Sequence, residues 1–170
     1  LQLFTDAKEL MAKGRVKEAR ELYGRALELD AEFGRAYAGL ATTYRSFGIT
    51  YDAVLAEKYF QEAMKRLDRV GERERLEIQG LYSGVRGRYE ESAGFYRLLV
   101  ERYPEVDEYH TSLARQYAGL SRHEESIREF EEAIRLNPRS AGTLINLASA
   151  YGTKGEFRKQ IEYLDQAFAL

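Results

Sequence analysis

The sequence contains no cysteine and no tryptophan, and its 170 residues include only two prolines, two methionines and two histidines. Without cysteine the chain cannot form disulfides, thiolate metal sites or a cysteine nucleophile, which fits a reducing compartment such as the cytoplasm. No apolar run approaches the roughly 18 residues of a membrane-spanning helix, and the first residues lack the pattern of a signal peptide. We therefore expect a cytoplasmic protein that does not associate with a membrane.

Neither sign of charge is in large excess. The chain has 26 Lys and Arg residues against 28 Asp and Glu residues, for a formal net charge of −2. A general nucleic-acid binder needs a basic surface, so we expect no nucleic-acid partner. The most basic stretch, residues 65–75, has acidic residues between its cations, which predicts a surface laced with salt bridges.

Residues 107–138 contain two amphipathic patterns joined by a short turn. The first pattern has apolar residues three or four positions apart: Leu113, Ala114 and Tyr117. The second has the same helical spacing in Ile127, Phe130, Ala133 and Ile134. Two helices of this length cannot bury both stripes alone, so the pattern predicts neighbouring helices of the same kind.

The ends of these two helices also have sequence signals. Gly119 ends the first run, and Ser121 with Glu124 matches a capping box, in which the serine is the N-cap of the second helix. Asn137 precedes Pro138, which disfavours helix at Asn137 and supplies no N–H group. The second helix is therefore predicted to stop before this pair.

A small–aromatic–small signature recurs on the second helix of each pair. It reads Ala19-Tyr23-Ala26, Ala56-Phe60-Ala63, Ser92-Tyr96-Leu99, Ser126-Phe130-Ala133 and, weakly, Gln160-Leu164-Ala167. The last members lie 34 to 37 residues apart. A period of about 34 residues with this signature resembles the tetratricopeptide repeat, over nearly the whole chain.

The resemblance implies an all-α fold, a right-handed α-solenoid of five helix–turn–helix repeats in one array. The repeats are expected at about residues 1–32, 33–70, 71–104, 105–138 and 139–170. The second repeat has a longer turn near Ile49–Tyr51, which is either a functional rim loop or a tolerated insertion, since loop entropy grows slowly with length. The junction Lys65–Gln79 looks like the linker between repeats in large bacterial signalling proteins that carry kinase or winged-helix domains. Because the chain starts without methionine and stops within a helical pattern, we expect it to be part of a longer protein.

In this family the first helices line a concave groove that accepts extended peptides or partner helices. The residues expected to point into the groove are Arg35, Thr42, Arg45, Glu74, Glu77, Leu81, Glu108, Thr111, Arg115, Asn146 and Ser149. Chaperone-binding members grip peptide carboxylates with a clamp of lysines, asparagines and an arginine. Only Asn146 matches that clamp here, with Glu74 and Glu108 where cations would be needed, so a chaperone tail is a poor candidate for the ligand.

No catalytic, metal or cofactor motif emerges. His123 begins a zinc-protease-like pattern, but Ile127 stands where the second histidine is required. We expect His110 and His123 to be surface or groove-edge residues. Gly80, Gly84 and Gly87 lack the context of a phosphate loop and predict close helix packing instead.

The sequence therefore predicts a non-enzymatic protein-interaction scaffold that binds a protein or peptide partner, as a regulatory arm of a larger protein. The alternative is a self-associating structural spacer without a groove ligand, forming homo-oligomers through exposed array ends. Apolar residues in the first and last helices favour association through both ends of the array. They are Leu3, Phe4, Leu10 and Met11 in the first helix, and Ile161, Leu164 and Phe168 in the last.

Overall fold

The computed structural model describes residues 1–45 and 52–170, and all regular structure in these two ranges is helical. The helices are α1 (Gln2–Ala12), α2 (Val16–Leu29), α3 (Gly34–Arg45), α4 (Ala53–Met64), α5 (Glu72–Val85), α6 (Tyr89–Arg102), α7 (Asp107–Gly119), α8 (His123–Leu136), α9 (Ala141–Thr153) and α10 (Phe157–Phe168). A 3₁₀ turn, Leu67–Arg69, follows α4. The longer turn near Ile49–Tyr51 lies outside the described residues.

The small–aromatic–small signature is the buried side of the second helices. In α2, α4, α6 and α8 every member of the signature is at most 6% exposed. In α10 only Ala167 is buried, while Gln160 and Leu164 are half-buried. The small residues let neighbouring helices approach closely, and the aromatic ring between them fills the remaining space.

The chain divides into two compact units, Leu1–Tyr82 and Ser83–Leu170. In the first unit, one core cluster joins α1, α2 and α3, and Phe4 contributes a ring 5.7 Å from that of Tyr23. Leu3, Leu10 and Met11 pack against the same cluster. Phe4 is therefore buried rather than exposed, and Leu3, Leu10 and Met11 are only half-exposed, so α1 presents less apolar surface than the sequence suggested.

In the second unit, the core between α7, α8 and α9 includes Ala114, Ile127, Phe130, Leu147 and Tyr151. The close helix packing predicted at the glycines of this region is confirmed at Gly84 on α5 but wrong at Gly87, where an added Cβ atom would meet nothing within 4 Å. A Cβ atom at Gly84 would lie 2.9 Å from the side-chain oxygen of Gln116 and 3.1 Å from the hydroxyl of Ser92. A larger residue at this position would therefore displace its neighbours.

The start of α8 differs from the prediction. Helix α8 begins at His123 with Arg122 as its N-cap, and no side chain caps it. Ser121 instead adopts a left-handed conformation, with φ of 58°. The N–H of Arg122 donates to the carbonyl of Tyr117 at 2.9 Å, which closes α7 in the manner of a Schellman motif. Ser121 therefore ends the first helix of the pair rather than capping the second, and the capping-box prediction was wrong.

Glycine occupies the equivalent turn position in three other helix pairs. Gly14, Gly87 and Gly155 have φ values of 71°, 74° and 79°. Glycine adopts this conformation without the steric cost that a side chain brings. The other predicted boundary of the pair is confirmed, because α8 ends at Leu136 with Asn137 as its C-cap.

Candidate functional site

Three candidate groove residues of the first unit are bound to one another. The Arg35 guanidinium lies 3.2 Å from the carboxylate of Glu74 and 3.1 Å from that of Glu77. The same guanidinium stacks over the ring of Phe4, with its central carbon 4.6 Å from the ring centroid. These contacts tie α3 to α5 and α1, so the three charges already have partners within the fold.

The other first-unit candidates differ in how accessible they are. The Thr42 hydroxyl donates to the carbonyl of Gly39 at 2.6 Å, and Leu81 is half-buried. Arg45, the last residue of α3, is exposed and has no ion pair with any residue in the described ranges. In this unit, Arg45 is the candidate cation left open to a ligand.

The second unit brings three candidates to one place. Arg115 of α7 and Asn146 and Ser149 of α9 line a cleft of about 190 Å³. The remaining lining residues are Ala118, His123, Ser126, Phe130, Ala150 and Thr153. The cleft lies between consecutive first helices, and α8 forms its inner wall.

The polar groups of this cleft have few partners of their own. Arg115 is exposed and Asn146 is half-buried, and neither side chain has a hydrogen bond or ion pair within residues 1–45 and 52–170. In the first unit, the groove glutamates Glu74 and Glu77 bind Arg35 rather than Arg45.

Ser126 is a feature of the cleft that the sequence analysis treated only as a small packing residue. Its side chain is fully buried, yet its hydroxyl has no hydrogen-bond partner among the described residues. Buried polar groups are nearly always paired, and an unpaired one costs roughly 1–3 kcal/mol. The signal in the sequence was that α2 and α4 have alanine at this repeat position, whereas α6 and α8 have serine.

Thr111 and Glu108 do not line the cleft. Thr111 is buried, and its hydroxyl lies 3.2 Å from that of Thr143 on α9. The expectation that Thr111 points away from the packed stripe was therefore wrong, because α9 packs over that side of α7. Glu108 is exposed in the first turn of α7.

The two histidines have different surroundings. His110 is buried, with Nδ1 2.7 Å from the Glu129 carboxylate and Nε2 3.0 Å from the carbonyl of Pro104. Hydrogen bonding to Glu129 raises the pKa of His110, since both of its neighbours accept hydrogen bonds. The prediction of a surface histidine was wrong for His110, whereas half-buried His123 lines the cleft.

The cleft therefore offers a small set of complementary groups. The Arg115 guanidinium can bind a carboxylate through two parallel hydrogen bonds. The Asn146 amide can both donate to and accept from a peptide bond, and the Ser126 hydroxyl can do the same at the inner wall. Within the described residues, no group of three or more His, Asp or Glu side chains could hold a metal ion. No helix in those ranges is both long enough and apolar enough to cross a membrane.

Comparison with known proteins agrees with this architecture. Residues 111–169, which include the cleft, match the tetratricopeptide repeat family. No curated protein matches the sequence.

Several solved structures are similar in fold. YrrB, described as a tetratricopeptide repeat protein with an unusual peptide-binding site, aligns over 98% of this chain and 84% of its own length. Its TM-score is 0.56 and its sequence identity is 20%. MamA aligns over 96% of this chain and 92% of its own, with a TM-score of 0.56 and 17% identity.

A MamA fragment from Desulfovibrio magneticus aligns over 99% of this chain and 93% of its own, with a TM-score of 0.59 and 15% identity. At these identities the likeness establishes the fold, an all-α solenoid of helical repeats, as predicted. The family match in residues 111–169 and the fold shared with these solved structures agree with the repeat signature along the chain, which is similar to that of tetratricopeptide repeat proteins.

Proposed function

We propose that this chain is a non-enzymatic interaction module whose second unit binds an extended peptide or partner helix in the cleft between α7 and α9. The observation that carries the proposal is the unpaired Ser126 hydroxyl at the inner wall of a cleft whose Arg115 and Asn146 side chains also lack partners in the described residues. A ligand that supplies those hydrogen bonds recovers free energy that the unliganded fold forgoes.

The ligand is expected to combine a carboxylate with neighbouring peptide groups. The carboxylate binds Arg115, and the peptide groups bind Asn146 and Ser126. The fold of YrrB, described as having a peptide-binding site, supports a peptide as the class of ligand. Arg45 on the first unit is a second exposed cation among the predicted groove residues and could bind a further carboxylate of the partner.

The test begins with peptides selected from a random displayed library on the full chain. The dissociation constant of a selected peptide is then measured by fluorescence anisotropy for the parent, Arg115→Ala and Asn146→Ala. Arg128→Ala is the matched control, because Arg128 is an exposed arginine of the same unit that does not line the cleft.

A hydrogen bond to a charged group contributes roughly 1.5–3 kcal/mol, so Arg115→Ala should weaken binding by about tenfold or more. The control should bind like the parent. Equal losses in Arg115→Ala and Arg128→Ala, or no loss in either, would place the peptide elsewhere and contradict the proposal.

We also propose that the chain is a regulatory arm of a larger bacterial signalling protein in the cytoplasm. The support is the junction Lys65–Gln79, which resembles linkers in such proteins. Its cations pair locally, as Arg66 does with Glu62 at 2.8 Å and Glu32 at 3.6 Å, which favours a protein partner over nucleic acid. The flanking gene sequence tests this context, and the absence of a kinase or DNA-binding domain would contradict it.

A further inference from the structure

The cleft between α7 and α9 has a filled counterpart one repeat earlier in the second unit. Three of its lining residues have equivalents 34 residues before them. In order, Ala118, Ser126 and Ala150 of the cleft correspond to Gly84, Ser92 and Gln116. The correspondence follows the fold, because α5 and α7 end at Val85 and Gly119, which are also 34 residues apart.

At the earlier position, the side chain of Gln116 fills the space. A Cβ atom at Gly84 would lie 2.9 Å from the Gln116 side-chain oxygen and 3.1 Å from the Ser92 hydroxyl. The amide oxygen and the hydroxyl therefore lie against the same point of α5, while the Gln116 amide nitrogen donates to the carbonyl of Ser112 at 3.0 Å. Ser92 is fully buried, like Ser126, but it has a partner within the fold.

At the cleft, alanine stands in place of this glutamine. Ala150 has no polar side-chain group, and the buried Ser126 hydroxyl has no hydrogen-bond partner among the described residues. The cleft of about 190 Å³ lies where the longer side chain would be. The unpaired hydroxyl and the open cleft therefore have one cause, which is the absence of a carboxamide at position 150.

We propose that the cleft binds a glutamine side chain of the protein partner, whose carboxamide pairs with the Ser126 hydroxyl. This inference rests on the proposed function and assigns the group that meets Ser126. A carboxamide suits the site because it has both a donor and an acceptor and is neutral, so it can be buried beside a hydroxyl without the cost of a charge. An acidic residue near that glutamine supplies the carboxylate for Arg115.

The first test needs no ligand. Ala118→Gly serves as the background, because the Cβ atom of Ala118 would crowd a glutamine at position 150 as a Cβ atom at Gly84 would crowd Gln116. In that background, Ala150→Gln should raise the melting temperature by about 2–4 °C. This gain should disappear when Ser126→Ala is added. Ala150→Met is the matched control, since methionine has a similar length and helix propensity without the amide, and its effect should not depend on Ser126.

The second test uses peptides selected on the full chain from a random displayed library. Selected peptides should share a glutamine close to an Asp or Glu residue. Replacing that glutamine with methionine should weaken binding to the parent by about threefold to tenfold in fluorescence anisotropy, and should have little effect on binding to Ser126→Ala. The Ala118→Gly/Ala150→Gln chain should bind more weakly than Ala118→Gly, because its own carboxamide occupies the cleft.

Failure of this inference is distinguishable from failure of the proposed function. A peptide that depends on Arg115 but binds equally well with glutamine or methionine would leave the cleft as a peptide site and overturn the glutamine assignment. A thermal gain from Ala150→Gln that persists with Ser126→Ala would also overturn it, because the hydroxyl would not be the partner of the amide. Selected peptides that bind independently of Arg115 would contradict the proposed function and, with it, this assignment.

Discussion

Ser121 provides a direct test of how the repeat turns are built. Its φ of 58° places a side chain in the left-handed region, where Gly14, Gly87 and Gly155 stand in other repeats. A non-glycine residue in this conformation destabilises the fold by roughly 1–2 kcal/mol. Replacing it with glycine removes that cost but destabilises the fold by roughly 0.5–1 kcal/mol, because glycine has more conformational freedom in the unfolded chain. Ser121→Gly should therefore raise the free energy of unfolding by about 0.5–1 kcal/mol.

The assay is urea denaturation at constant m-value, with Ser121→Ala and Gly155→Ser as comparisons. Ser121→Ala should be nearly neutral, because alanine meets the same backbone cost and no capping bond is lost. Gly155→Ser should destabilise by about as much as Ser121→Gly stabilises, since a Cβ at Gly155 would meet no atom within 4 Å and only the backbone term changes. If Ser121→Ala lowers the free energy of unfolding by about 1 kcal/mol and Ser121→Gly is also destabilising, Ser121 is the N-cap of α8 after all, and its assignment to the left-handed turn position is refuted.

Two further predictions follow from buried contacts. A Cβ atom at Gly39 would lie 2.5 Å from the ring of Tyr23, so Gly39→Ala should lower the denaturation midpoint by overpacking. Gly24→Ala should raise the midpoint, because a Cβ atom there would meet no atom within 4 Å and alanine favours the helix. Equal effects of the two substitutions would contradict the packing at Gly39. The pKa of His110 is raised in the folded chain, so its contribution to stability is complete below its unfolded pKa of 6.5 and is lost as the pH rises through the folded value. The advantage of the parent over His110→Gln in unfolding free energy should therefore shrink between pH 5.5 and pH 8.5, and a pH-independent difference would contradict the charged pair with Glu129.

The helical architecture was predictable because burial follows local spacing. The signature that includes Phe60, Phe130 and Ala133 recurs at nearly constant intervals, and in α2, α4, α6 and α8 each member lies at the packed face. The C-terminal boundary of α8 followed from Asn137 and Pro138 for the same reason, since their effect on the backbone is local.

The errors arose where a side chain had two plausible uses that only tertiary contacts decide. Ser121 satisfied the capping pattern, but the backbone geometry of the turn places it one position before Arg122, the N-cap of α8. Thr111 lies on the polar side of α7, yet α9 covers that side. His110 is buried and contacts Glu129, which lies on a different helix. The spacing of residues along one helix cannot reveal such a contact.

The cleft was predictable only in part. Arg115, Asn146 and Ser149 were expected on the groove side, and the structure places all three around one cleft. The unpaired hydroxyl of Ser126 depends on the absence of an acceptor within reach, which is a property of the packed helices rather than of any sequence pattern.

Ser126→Ala tests the central claim most directly, because stability and peptide affinity should move in opposite directions. Removing the unpaired buried hydroxyl should raise the free energy of unfolding by about 1 kcal/mol, while the affinity for a selected peptide falls several-fold. Ser92→Ala replaces the serine at the equivalent position of α6, which lies outside the cleft, and should leave the affinity unchanged. A Ser126→Ala variant that is more stable and binds the peptide as tightly as the parent would show that the hydroxyl has no part in binding and would contradict the account.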